Sequence, residues 1–129
     1  MAIASDRAHL NRLTESIIGC SYRVSRILGC GFLEKVYENA LAHELRRCHI
    51  HVKQQFQIQV YYDDAIVGDY IADILVEEQV LVELKAVHQF DNIHKAQCLN
   101  YLNATGLHVC LLINFGKPRA EIHRIVRHF

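Results

Sequence analysis

Asp73, Glu83 and Lys85 are the residues of this chain whose types and spacing can do chemistry together. The stretch VLVELKAV, Val80 to Val87, reads as a strand buried on both faces, yet Glu83 and Lys85 sit inside it. Burying charge without partners is costly, so these two side chains need a reason to be there. Residues two apart on a strand share a face, and Glu83 and Lys85 therefore project side by side. Glu77, Glu78 and Gln79 form a turn that returns the preceding strand antiparallel. A three-residue turn sets Val76 opposite Val80 and Asp73 opposite Glu83. A two-residue turn shifts the register by one and loses that placement.

Two carboxylates facing each other repel unless a proton or a cation sits between them. A hard divalent cation, Mg²⁺ or Mn²⁺, suits carboxylate oxygens and leaves positions for water and phosphate. A lysine beside it can orient or deprotonate an attacking water and balance charge on a phosphoryl transition state. Such a set supports metal-assisted hydrolysis of a phosphodiester. The same string also occurs as a solvated strand face, or as a structural pairing of Lys85 with Glu83 or Asp73.

The elements that must position these residues follow from periodicity. Leu10, Leu13, Ile17, Val24, Ile27 and Leu28 recur at helical steps, predicting a long amphipathic helix from Asp6 to Leu28 capped by Ser5 or Asp6. GCGF, Gly29 to Phe32, breaks it. A second helix, Leu33 to about Cys48, carries Val36, Tyr37, Ala40, Leu41 and Leu45 on one stripe. Glu34, Tyr37 and Glu38 share a face of it. VKQQFQIQVYY, from Val52, alternates Phe56, Ile58 and Val60 against glutamines and reads as a half-buried strand. IVGDYIADILV and the stretch around Glu83 complete a three-strand meander. DNIHKAQCLNYLNATG places Ile93, Ala96, Leu99, Asn100 and Leu102 at helical spacing, with Asp91 as cap and Gly106 as stop. LHVCLLINF is a further buried strand, and AEIHRIVRHF an optional edge strand.

At 129 residues, the chain reads as a single domain over residues 1–129 that can bury a core without disulfides or a structural metal. Lys plus Arg equals Asp plus Glu, 14 each, so no global field draws it to nucleic acid or membrane. The charge is uneven, however: Asp69 to Lys85 holds five acids and one base, and Lys117 to Phe129 four bases and one acid. The five cysteines form no C-x-x-C pair and lie mostly in apolar patterns, as reduced core residues of a cytoplasmic protein would. No signal peptide or membrane-spanning run is expected.

Several motifs together carry a family resemblance. GFLEKVYENAL contains G-x-x-E-x-x-Y as Gly31, Glu34 and Tyr37; YIADILVEEQVLVELKAV, HKAQCLNYL and LLINFG follow in order. Over residues 14 to 127 the chain resembles the GxxExxY proteins, placed in the PD-(D/E)xK nuclease-like superfamily with the restriction endonucleases. The resemblance implies an α/β fold with a restriction-endonuclease-like core, αβββαβ, its central mixed sheet flanked by helices, with an extra N-terminal helix here. It implies Asp73, Glu83 and the Leu84 carbonyl as ligands of Mg²⁺ (or Mn²⁺), Lys85 as the catalytic lysine, and Glu34 as an added acid in the same cleft. Gln97 and Tyr101 reproduce a Q-x-x-x-Y arrangement of a nuclease subgroup. Departures are Cys30 and Cys110, where proline and glycine are common in relatives, and Ala72 in place of the superfamily's proline.

The expected function is a Mg²⁺-dependent nuclease acting on nucleic acid, DNA foremost. The alternative is a catalytically silent nuclease-fold module that binds nucleic acid or a protein. Self-association through the first helix is a further expectation. Glu38 reads as a surface acid and Tyr37 as a core residue with a hydrogen-bonded hydroxyl. CHIH, Cys48 to His51, lacks a second ligand pair for zinc. His88, His94 and the basic tail (Lys117, Arg119, Arg124, Arg127) are candidates for phosphate contact, or a solvated edge.

Overall fold

The computed structural model describes the backbone of residues 2–129 and side chains from residue 6 onward. Its elements are α1 (Ala2–Leu28), α2 (Glu34–Arg47), β1 (Val52–Tyr62), β2 (Ala65–Val76), β3 (Val80–Lys85), α3 (Asn92–Thr105), β4 (Val109–Asn114) and β5 (Glu121–Val126). The five strands form one sheet in the order β1-β2-β3-β4-β5, with β3 and β4 parallel and the other pairs antiparallel. The α/β core expected from the sequence is therefore present. The optional last strand is real and closes the sheet beside β4.

β3 and β4 lie inside the sheet, which explains their largely apolar runs: Val80 to Leu84 and Val109 to Asn114 are buried throughout, Glu83 and Asn114 included. One face of the sheet packs under α1 and α2, through Leu13, Ile17, Val24, Tyr37, Leu41 and Leu45. The other packs under α3, through Cys98, Tyr101 and Leu102. Most of the apolar stripe of α1, which the sequence offers for self-association, is thus already buried within the chain, with Ile27 left exposed.

Three details differ from the periodicity reading. The first helix begins at Ala2, so Ser5 and Asp6 lie inside it rather than capping it. On α3, Ile93 and Leu99 are exposed, while Cys98, Tyr101 and Leu102 face the core. Apolar spacing marked a helix there but not which of its two apolar stripes packs. Of the cysteines, Cys20, Cys98 and Cys110 are buried, but Cys30 and Cys48 are exposed, because both stand at helix ends where the chain turns.

Helix ends behave as their residues dictate. Asp91 and His94 form a capping box at the start of α3, and Gly106, at φ 77°, ends it. Gly29, at φ 69°, returns its amide to the Ser25 carbonyl and terminates α1. The turn at Glu77 to Gln79 has three residues and pairs Val76 with Val80, the register that sets Asp73 beside Glu83.

Candidate active site

The β2–β3 ladder is regular at Val76–Val80, Leu75–Leu81 and Ile74–Val82, and stops there. Beyond it, side chains take over the bonding. Glu83 Oε1 accepts from the Asp73 amide at 2.9 Å, and Asp73 Oδ2 accepts from the Leu84 amide at 2.8 Å. Each acid thus satisfies a backbone donor on the other's strand where the ladder would have done so. One oxygen of each carboxylate is fixed by these bonds, and the second is left uncommitted.

The opening coincides with a change of phase. Ile74 and Val76 pack under α1 and α2, and Leu75 under α3, as alternation requires. Ala72 would belong with Ile74, yet it packs under α3. Across β1, Val52 packs under α1 and α2 but Phe56 and Ile58 under α3. Between them Gln55 adopts φ 57°, a left-handed conformation that an L side chain takes at some strain. Asp73 lies at this phase change.

Burial and mutual repulsion shape the acids. Glu83 is 4% exposed. Desolvation first, then the Asp73 charge, pushes its carboxyl up to about 8. Asp73 is also raised, by burial, against the pull of its Leu84 hydrogen bond, with Glu38 and Glu34 adding to the rise. Lys85 lowers both acids from nearby, but forms none of the ion pairs found among the described residues. A purely structural Lys85 pairing is therefore not what the fold builds.

Lys85 is held by its surroundings. Its carbonyl accepts from the Phe115 amide at 2.8 Å. Asn114, fully buried, accepts from the Val87 amide and donates to the Val87 carbonyl at 3.0 and 2.8 Å. Gly116 passes so close to Val87 that a Cβ there would stand 2.3 Å from its carbonyl oxygen. The LLINFG motif thus clamps the segment that follows Lys85. Phe115 in turn stacks on Tyr37, rings 4.7 Å apart, while the Tyr37 hydroxyl donates to the Gly29 carbonyl and accepts from the Phe32 amide. Tyr37 is the expected core tyrosine, pinning the α1–α2 turn to the sheet.

Of the two acids of α2, Glu38 departs from the surface place the sequence suggested for it. Glu34 is exposed at the helix start, felt electrostatically by both Asp73 and Glu83. It lines a cavity of about 480 Å³ with His88 and Gly116. Glu38, read as a surface acid, is buried at 3% exposure. It accepts from Gln54 at 2.6 Å, Gln55 at 2.7 Å and Lys35 at 3.0 Å. Its burial follows from the strand phase at Gln55, which no helical periodicity reveals. The consecutive glutamines were the one hint, since strict alternation would not bring both to the same partner.

Tyr101 is buried beside the acids, its hydroxyl 3.5 Å from the Ile71 carbonyl, and burial with the Glu83 and Asp73 charges raises its phenol strongly. Gln97 lies one turn away on the same face of α3. His94 is committed to the α3 cap. The basic tail is engaged with the protein: Lys117 pairs with Glu121, Arg119 covers Tyr22, Arg124 bonds Asn11 and Arg127 bonds Asn103. These contacts match the solvated-edge alternative, with Arg119 and Arg124 still exposed.

A metal fits this donor set on limited terms. Among the described residues no group of three His, Cys, Asp or Glu side chains stands close enough to hold an ion. Asp73 and Glu83 do present two uncommitted carboxylate oxygens whose repulsion a cation relieves. Mg²⁺ is commonly held this way, by one or two carboxylates with water and substrate phosphate completing the shell.

A mixed five-stranded sheet between helices, with two acids and a lysine where its central hairpin opens, defines a nuclease-type α/β protein. The chain belongs to the PD-(D/E)XK nuclease superfamily, whose family model it matches over residues 11–125. Members of that superfamily generally use divalent metal ions. Among solved structures the chain is similar to SSO0001, with a TM-score of 0.57 and 13% identity, over 74% of this chain and 51% of that one. It spans about half the length of that relative. It is also similar to an alkaline exonuclease, LHK-Exo, from Laribacter hongkongensis, with a TM-score of 0.50 and 15% identity, over 83% of this chain and 76% of that one. A search of curated proteins finds no match. Among the described residues, no helix is long and apolar enough to cross a membrane.

Proposed function

We propose that the chain is a Mg²⁺-dependent nuclease of the GxxExxY group that hydrolyses phosphodiester bonds of DNA in the cytoplasm. The observation that carries this reading is the crossed pair of acids, Asp73 and Glu83, at the end of the β2–β3 ladder with Lys85 beside them unpaired. Asp73, Glu83 and the Leu84 carbonyl are the residues that would hold the ion. A bound Mg²⁺ supplies Lewis-acid polarisation of the phosphoryl oxygen and acidifies water. Lys85 orients the attacking water and relays its proton to the leaving oxygen, balancing charge on the phosphoryl group as the bond from water to phosphorus forms and the P–O bond breaks. Glu34, at the mouth of the cleft, and Gln97 with Tyr101, on α3, position substrate around that centre. DNA is the substrate the family resemblance favours, and five free cysteines suit a reducing compartment.

Incubating the protein with DNA and RNA in Mg²⁺ or Mn²⁺ tests the proposal. Cleavage is expected for the wild type and lost in Asp73→Ala and Lys85→Ala; cleavage that survives both belongs to a contaminant and sinks the assignment.

A second reading is supported by one observation: among the described residues no third metal-ligating side chain joins Asp73 and Glu83, and each of these already bonds a backbone amide. On that reading the fold binds nucleic acid or a protein without cutting it. Titration calorimetry with Mn²⁺ separates the two, since a silent module takes up no ion.

A further inference from the structure

A groove of about 530 Å³ runs between α3 and the β1–β2 hairpin, lined by Tyr61, Tyr70, Ile93, Gln97, Asn100 and Tyr101 among others. Its volume is that of a small-ligand site. None of the residues that line it is charged. Tyr61, Tyr70 and Ile93 are about half exposed or more, at 59%, 48% and 68%. The rings of Tyr70 and Tyr101 stand 5.7 Å apart at 52°, a tilted pair forming one wall. Among the described residues, the Gln97 and Asn100 amides have no hydrogen-bond partner, and their spacing on α3 presents both to the groove. Ile93 and Ala96, from the apolar stripe of α3 left out of the core, line this wall.

We propose that the groove is a subsite for an unpaired base of a nucleic-acid strand, so that the protein takes single-stranded or end-frayed substrate. This rests on the nuclease reading and adds the substrate class to it. Base faces stack on tyrosine rings, and base edges, once out of a duplex, are met by side-chain amides. A protein's apolar side chain would leave both amides without partners, and a phosphate would find no cation in the lining. Continuity with the reacting centre fits the same occupant. Tyr101 lines the groove while its hydroxyl reaches the Ile71 carbonyl, two residues before Asp73. A base seated there places its own backbone toward Asp73 and Glu83.

The test is fluorescence anisotropy of a short labelled oligonucleotide in EDTA, so that binding is read without cleavage. The single strand is expected to bind at least tenfold more tightly than its blunt duplex. Tyr70→Ala and Asn100→Ala should each weaken it, Tyr70→Ala by roughly tenfold, the size of one stacked base. Tyr62→Ala, exposed but outside the groove, serves as the control and should bind as the wild type does. An abasic strand with the same phosphates should lose the preference. Equal binding of single strand and duplex, or of the abasic strand, overturns the proposal. So does a Tyr70→Ala protein that binds the strand normally but loses self-association in sedimentation, which would make the groove a protein surface. Circular dichroism verifies that each variant is folded. Groove-dependent binding without cleavage in Mg²⁺ would instead count against the nuclease reading alone, whereas cleavage of duplex with no base-dependent binding would count against the groove alone.

Discussion

The two halves of the β2–β3 hairpin are built from the same strands to opposite ends. Near the turn, Ile74, Leu75 and Val76 face Val82, Leu81 and Val80 in a regular ladder, all buried and all apolar. One residue further, Asp73 and Glu83 replace ladder bonds with carboxylate-to-amide bonds, Glu83 buried and Asp73 half-buried beside it. The first half lowers the free energy of the fold through burial. The second half holds two carboxyls together at a cost that grows as pH rises and Glu83 gives up its proton, and only an intact surrounding sheet keeps them in place. The lesson is that the apolar run of β3 supports its charged residues: rigidity near the turn is what keeps the acids converged.

Substitutions can separate the halves. Lys85→Ala should reduce phosphodiester cleavage by roughly 10²–10⁴-fold, the usual weight of a proton-handling side chain, with an unchanged melting temperature. A variant equally active with a lower Tm would place Lys85 in the structural half. Leu81→Ala should do the reverse, destabilising the protein by about 2–5 kcal/mol in urea unfolding while the folded fraction keeps its specific activity.

The pH response sharpens the contrast. Both acids bind protons more tightly in the folded chain than in the unfolded one. The metal-free protein is therefore most stable at low pH on this account, and loses stability as pH rises from about 4.5 toward 8. Thermal melts in EDTA should show that decline, and Mg²⁺ should oppose it. Glu83→Gln should flatten the profile, raise Tm at the alkaline end and abolish the response to Mg²⁺. A flat wild-type profile would mean that the two acids do not repel as their burial requires.

The smallest effect belongs to the motif tyrosine. Tyr37→Phe removes the bonds to Gly29 and Phe32 but keeps the stack on Phe115. A loss of about 1 kcal/mol in stability is expected, with turnover intact. A collapse in turnover at unchanged stability would move Tyr37 from the scaffold into the chemistry.

Particular residues show where sequence reasoning reached. Asp73, Glu83 and Lys85 were legible because strand alternation and a three-residue turn fix neighbours locally. Asp91 and Gly106 were legible because caps are chosen by backbone geometry within a few residues. Glu38 was not legible. Its burial depends on Gln55 leaving the regular alternation, and on β1 lying against α2, neither of which leaves a periodic trace. The facing of α3 was missed for a related reason: Ile93, Ala96 and Leu99 are as helical in spacing as Cys98, Tyr101 and Leu102, and only the sheet chooses between them.

By itself, then, the sequence determined the order of elements, the register of the central hairpin and the placement of Asp73 beside Glu83. All three rest on interactions between residues close along the chain. The tertiary structure decided that the ladder opens at Asp73, that Glu38 turns inward, that Glu34 stays exposed and that an uncharged groove forms beside Tyr101. Those outcomes depend on which surfaces meet across the fold, and contacts between distant segments carry no signature in local spacing.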